Sequence, residues 1–248
     1  MKIFNWKVLL SIVLIGISIL LHLLHYAIFK DAHHIAIYVL GDLAFLPISV
    51  LFVTLFIDQL MAKQEKRAMF RKLNMVIGAF FSEAGTELLK IFWKFDADTM
   101  YLQNHLVFDK NWKQKEYYEL KRMFKSHKPT IDIHKGDIGH LKKFLSEKRE
   151  FLLRLLENPN LLEHETFTAL LWAVFHLTEE LCARPDFKTL PEADYEHLVG
   201  DIKRAYSLLI VEWIIYMRHL DNSYQYLFSL AMRTNPFDIN ASVIMKNK

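Results

Sequence analysis

The chain switches once, and abruptly, from one hydrophobic pattern to another. From Val8 to Phe29 there is no Asp, Glu, Lys or Arg across 22 residues. At roughly 1.5 Å rise per residue a helix of that length covers about 33 Å, enough to cross a bilayer core of about 30 Å. A second run, IAIYVLGDLAFLPISVLFVTLFIDQL at 35–60, carries one charge, Asp42, before Asp58. Beyond it the composition turns to MAKQEKRAMFRK. The pattern predicts a two-helix transmembrane hairpin over 1–60, with spans at about 7–29 and 35–60, followed by a water-facing domain over 61–248.

In that second part apolar residues recur at helical spacing almost throughout. Leu73, Ile77, Phe80, Ala84 and Leu88 make one stripe, so the second span is expected to run on as a long helix, interrupted at Gly85 or at FDAD (95–98). A polar, aromatic-rich helix is predicted over 113–126 and another over 141–156, each closed by a proline. PTIDIHKGDIG between them reads as a loop with a short extended piece. Phe167, Leu170, Leu171, Val174, Leu177 and Leu181 then share a face. A long helix should start near Pro191 or Glu192, with Tyr195, Leu198, Ile202, Ala205, Leu209, Trp213, Tyr216 and Leu220 inside. A last helix, YQYLFSLAMR, ends at Asn235-Pro236 and the final dozen residues read as a loose tail. No useful period-2 run occurs, so the fold class is all-α: a transmembrane hairpin and a cytosolic helical bundle.

Charge sets orientation. Lys2 and Lys7 precede the first span, and Lys63, Lys66, Arg67, Arg71 and Lys72 follow the second. The connecting loop holds only Lys30. Both termini are therefore expected on the cytoplasmic side of the cell membrane. The first span is too long for a signal-peptide core and no small-x-small cleavage site follows it, so it reads as an uncleaved anchor. A net charge of +3 gives no reason to expect nucleic acid. The single cysteine, Cys182, suits a reducing compartment and is expected in the core rather than as a nucleophile.

Phosphate-cradling, nucleophile-elbow and H-E-x-x-H signatures are all missing, and so is the Glu-x-x-His of di-metal carboxylate bundles. The polar residues that remain gather in two places. In the bundle, Glu165, His176 and Glu179 lie opposite the leucine stripe, on what reads as a second contact face. In the hairpin, LHLLHYAIFKDAHHIA (21–36) holds four histidines and an aspartate. Turning about 100° per residue puts Ser11, Ser18, His22 and His25 on one narrow stripe of the first span. Such a stripe faces a partner helix, a subunit interface or a water-filled path. Asp42 is the intramembrane acid that His22 or His25 would pair with, and His33 and His34 in the loop could complete a metal site with them.

The stretches GDLAFLPISVLFVTLFIDQLMAKQEKR, LLENPNLLEHETFTALLWAVFHLTEEL and DIKRAYSLLIVEWIIYMRHLDNSYQYLFSLAMRTNPFD resemble a family of uncharacterised prokaryotic membrane proteins. The likeness covers most of the chain. It implies a two-span hairpin followed by a helical cytosolic domain and brings no activity and no catalytic residues.

The leading expectation is a non-enzymatic, homo-oligomeric membrane scaffold, sensor or regulator whose helical domain meets cytosolic protein partners, with no cofactor. One alternative is a homo-oligomeric cation or proton channel or transporter that uses Ser11, Ser18, His22, His25 and Asp42. A further alternative is a membrane redox protein with metal or haem on His22, His25, His33, His34 and Asp42.

Overall fold

A computed structural model describes residues 2–107, 112–159, 161 and 164–244, apart from a few side chains in α1 and α2. Among them the chain is all-α, with an isolated antiparallel bridge between Asp96 and Ile131 as its one extended contact. Contacts divide it into two units, Met1–Lys66 and Arg67–Lys248.

The first unit contains α1 (Lys2–Phe29) and the start of α2 (Ala32–Phe80). Lys30 closes α1 in the left-handed region at φ 51°, where its N–H donates to the carbonyl of Tyr26 at 2.8 Å. Asp31 then opens α2 by accepting the N–H of His34 at 3.0 Å. Two helical stretches here, Val8–Phe29 and Ala32–Lys66, are long and apolar enough to cross a membrane, and nothing in their apolar windows is buried within the chain. Pro47 lies inside α2 without ending it. The side chains of Lys2, Lys7, Arg67 and Arg71, on which the charge-based orientation leans, fall outside the described residues.

In the second unit, the end of α2 is followed by α3 (Thr86–Trp93), α4 (Thr99–Leu106), α5 (Gln114–Ser126), α6 (Ile138–Leu156), α7 (Glu165–Ala183), α8 (Glu192–Ser223) and α9 (Gln225–Arg233). The stripe from Leu73 to Leu88 is buried as its spacing predicts. Between α2 and α3 one turn widens to a π-helix over Phe81–Gly85, marked by the N–H of Thr86 reaching Phe81 O. The extra residue lets the adjacent Phe80 and Phe81 both go inward. Phe80 meets Phe167 edge-on at 5.3 Å, and Phe81 stacks on Tyr216 at 4.7 Å. Gly85 is required there, because a Cβ would lie 2.7 Å from both phenylalanine rings.

α8 is the central helix: α3, α5, α7 and α9 all pack on it. Leu198, Ile202, Ala205, Tyr206, Leu209, Trp213 and Met217 are buried along it, while Tyr195 and Tyr216 are only half-buried. α4 is an element that the apolar pattern does not announce. It starts at Asp98, whose carboxylate accepts the N–H of Tyr101. Two expectations are corrected. Cys182 is exposed, because it follows Leu181 and so turns about 100° off the buried face of α7. The described part of the tail, 237–244, is tied down at its start rather than loose: Phe237 is fully buried, just after Asn235 donates to the carbonyl of Leu106 at 2.7 Å, and residues 245–248 lie outside the described residues.

Candidate functional site

α7 and α8 are joined by the short segment 184–191 and run antiparallel, as three pairs across them show. Arg184 meets Asp194, Glu180 meets His197 and His176 meets Asp201, one partner rising in number as the other falls. Side chains four apart on a helix share a face. His176 and Glu180 are such a pair on α7, and His197 and Asp201 on α8. The helix pair thus presents two His-x-x-x-acid motifs to each other.

Their polar atoms converge. Nε2 of His176 and Nε2 of His197 each lie 3.3 Å from Oδ2 of Asp201. Glu180 reaches the same two rings, Oε1 at 3.8 Å from His176 and Oε2 at 3.6 Å from His197. Donor atoms of His176, Glu180 and His197 all lie within 4.8 Å of one another, close enough to share one ion. The Asp201 side chain is 2% exposed, whereas those of His176 and His197 are 45% and 50% exposed. The site is therefore rooted in the core and open to solvent on one side.

Two arginines hold the carboxylates. Arg204 donates to Oδ1 of Asp201 at 3.0 Å, leaving Oδ2 turned toward the histidines. Oδ2 is buried and carries no hydrogen bond despite the two ring nitrogens 3.3 Å away. Arg184 forks between Glu180 (2.7 Å) and Asp194 (2.6 and 2.8 Å). Its guanidinium holds the carboxyls of Glu180 and Asp194 below their ordinary range, and its own pKa rises in return. The Arg184 carbonyl accepts from Lys142 of α6 at 2.6 Å, which ties this end of α7 to a third helix.

Of the bundle residues that the sequence singles out, His176 is in this cluster. Glu165 is exposed in the first turn of α7, and Glu179 faces away to pair with Arg149 of α6 at 2.7 Å. Glu180, His197 and Asp201 were missed. Their signal was present in the i, i+4 spacing of His176–Glu180 and His197–Asp201, but an inward stripe drawn only from apolar residues passes over it.

In the hairpin, Nδ1 of His22 lies 2.9 Å from the carbonyl of Ser18, one turn back on its own helix. His25 stacks on His34 with ring centroids 6.2 Å apart and planes 7° apart, and its Nδ1 is enclosed with no hydrogen bond. A cavity of about 340 Å³ is lined by Leu21, His22, His25, Ile35 and Tyr38. The cavity brings His22 and His25 together, and the stacked rings bring His34 against His25. Ser11, Ser18, His33, His34 and Asp42 do not line that cavity, and all five are exposed.

A larger groove of about 640 Å³ lies in the second unit, between the end of α2 and α8–α9. Phe81, Trp213, Tyr216 and Leu227 line it, and Asn74 lies 3.2 Å from His219 within it. Elsewhere in that unit Glu212 is fully buried on α8. Both its carboxylate oxygens are enclosed without a hydrogen bond, and burial pushes its pKa up, against the charges of His164 and Lys121.

Comparison with known proteins gives two family matches. Residues 2–61 match the family described as "MJ1433, N-terminal helical domain", and residues 69–233 match "Uncharacterized protein MJ1433, C-terminal helical domain". A relative from Methanocaldococcus jannaschii, itself described as "Uncharacterized protein MJ1433", is 45% identical over 242 residues. That alignment covers 98% of this chain and 97% of the relative. No solved structure matches the chain.

Proposed function

Because the chain belongs to the MJ1433 family and carries its two helical domains in the same order, we propose that it is an integral membrane scaffold, sensor or regulator of the cell membrane. Its hairpin crosses the bilayer, both termini lie in the cytoplasm, and the helical domain meets cytosolic partners. One observation carries the reading. The apolar windows of α1 and α2 are wholly unburied within the chain, whereas the second unit has a complete core of its own. Apolar surface on that scale needs lipid or another chain to cover it. The continuity of α2 from Ala32 to Phe80 supports a regulatory role, since its last turns supply Leu73, Ile77 and Phe80 to the core of the second unit. Self-association through the spans is part of the proposal, because Ser11, Ser18, His22 and His25 give α1 a polar stripe suited to helix–helix contact.

The test is to wash membranes holding the full-length protein with alkaline carbonate, then to cross-link the protein in detergent. Retention in the membrane and cross-linked species larger than one chain are expected. Release by carbonate would overturn the anchor, and a monomer at every cross-linker dose would overturn the self-association.

The enclosed Nδ1 of His25 beside His22 favours a second reading, a proton or cation path through an oligomer with Asp42 on it. In liposomes that path would lose its flux in Asp42→Asn and in His25→Ala. Flux through neither the wild type nor the variants would remove it.

A further inference from the structure

The geometry points to a binding site for one divalent transition-metal ion of the zinc type, formed by His176, Glu180, His197 and Asp201 in the helical unit. Imidazole and carboxylate are the donor set that such ions take from proteins, and zinc most often takes four of them in a tetrahedron. With bonds of about 2.0–2.1 Å, a tetrahedral ion holds neighbouring donors about 3.3 Å apart. Both histidine nitrogens stand at 3.3 Å from Oδ2 of Asp201.

That oxygen is left without a hydrogen bond. A buried carboxylate oxygen is expected to accept a hydrogen bond, since leaving it unpaired is costly. Oδ2 accepts none, although two ring nitrogens lie 3.3 Å away. Its other oxygen is taken by Arg204. Donor atoms of His176, Glu180 and His197 lie within 4.8 Å of one another, Oδ2 of Asp201 lies 3.3 Å from both rings, and Arg204 holds Asp201 through its other oxygen, as the outer partners of metal ligands do.

Charge agrees. Glu180, Asp194 and Asp201 bring three negative charges and Arg184 and Arg204 bring two positive ones, so the group carries a net negative charge with neutral histidines. Arg184 competes for Glu180, which makes that residue the weakest of the four donors and the one that water or a substrate could displace. The half-exposed histidines leave an entry path from solvent.

The experiment uses untagged full-length protein in detergent, stripped of metal with a chelator. Co²⁺ is added and followed by its visible absorption, then competed with Zn²⁺. One equivalent of Co²⁺ with tetrahedral absorption, displaced by Zn²⁺, is expected. His176→Ala and His197→Ala should each weaken uptake by at least about tenfold, in line with the loss of a single ligand or its support. Both histidines are exposed enough for these variants to keep their fold, which circular dichroism would verify. Asp201→Asn gives an independent third variant from the buried side. A wild type that takes up no stoichiometric ion would overturn the site and leave imidazolium–carboxylate pairs in its place. Uptake in both histidine variants as tight as in the wild type would also overturn it, by placing the ion elsewhere. Neither result would bear on the membrane anchor, which rests on different residues.

Discussion

His176 of α7 and Asp201 of α8 approach to 3.3 Å across two antiparallel helices, yet no hydrogen bond forms between them. His197 repeats the relationship from the other side, one turn before Asp201 on its own helix. Two such contacts on one buried oxygen make this the most chemically specific place in the helical unit.

Specificity within α7 follows from the face each acid occupies. Glu179 pairs outward with Arg149, while Glu180 points into the cluster. Glu179→Gln should leave Co²⁺ uptake unchanged, and Glu180→Gln should lower it several-fold. Equal effects of the two, read in the same titration, would contradict the assignment of faces.

Gly85 predicts a packing defect. A Cβ there meets the Phe80 and Phe81 rings at 2.7 Å, and those rings are locked against Phe167, Trp213 and Tyr216. Gly85→Ala should destabilise the fold by about 1–3 kcal/mol, the usual cost of overpacking. A urea titration followed by tryptophan fluorescence reads this directly. An unchanged midpoint would mean that the π turn gives way freely.

Truncating the centre of the core should cost more. Trp213 is 1% exposed and packs against Phe81 and Tyr216. Trp213→Ala should lose about 3–5 kcal/mol by the same titration, followed by circular dichroism. A loss below about 1 kcal/mol would show that the groove beside it collapses to fill the gap.

Glu212 predicts a pH dependence of definite sign. Its folded pKa lies above the ordinary 4.5, chiefly through burial. A raised carboxyl favours the folded state below pH 4.5, where it is protonated in both states, and that advantage is lost as pH rises through the folded value. Glu212→Gln should therefore stabilise the protein near neutral pH, on the order of 1 kcal/mol, and have little effect at acid pH. Urea midpoints at several pH values check it. A variant that is less stable at neutral pH than at acid pH, relative to wild type, would reverse the sign.

The stripes Leu73–Ile77–Phe80 and Phe167–Leu170–Leu171–Val174 were legible because burial in a helix repeats every three or four residues, and every member is buried. α4 was not, because it is short and begins with a capping aspartate rather than an apolar period. Cys182 was misplaced because being small and apolar does not say on which side of Leu181 a residue falls. His176 was picked out from its position on α7. Its partners His197 and Asp201 become neighbours only through the pairing of α7 with α8, a relation that no single helix wheel contains.

The most direct test of the membrane arrangement needs no mutation to create the probe. Cys182 is the only cysteine of the chain, and it is exposed on the helical unit. A membrane-impermeant maleimide is applied to right-side-out and to inverted vesicles holding the full-length protein, with Cys182→Ser as the blank. With both spans crossing the bilayer and the helical domain in the cytoplasm, labelling is confined to inverted vesicles. Labelling of right-side-out vesicles, or equal labelling of both, would contradict the account.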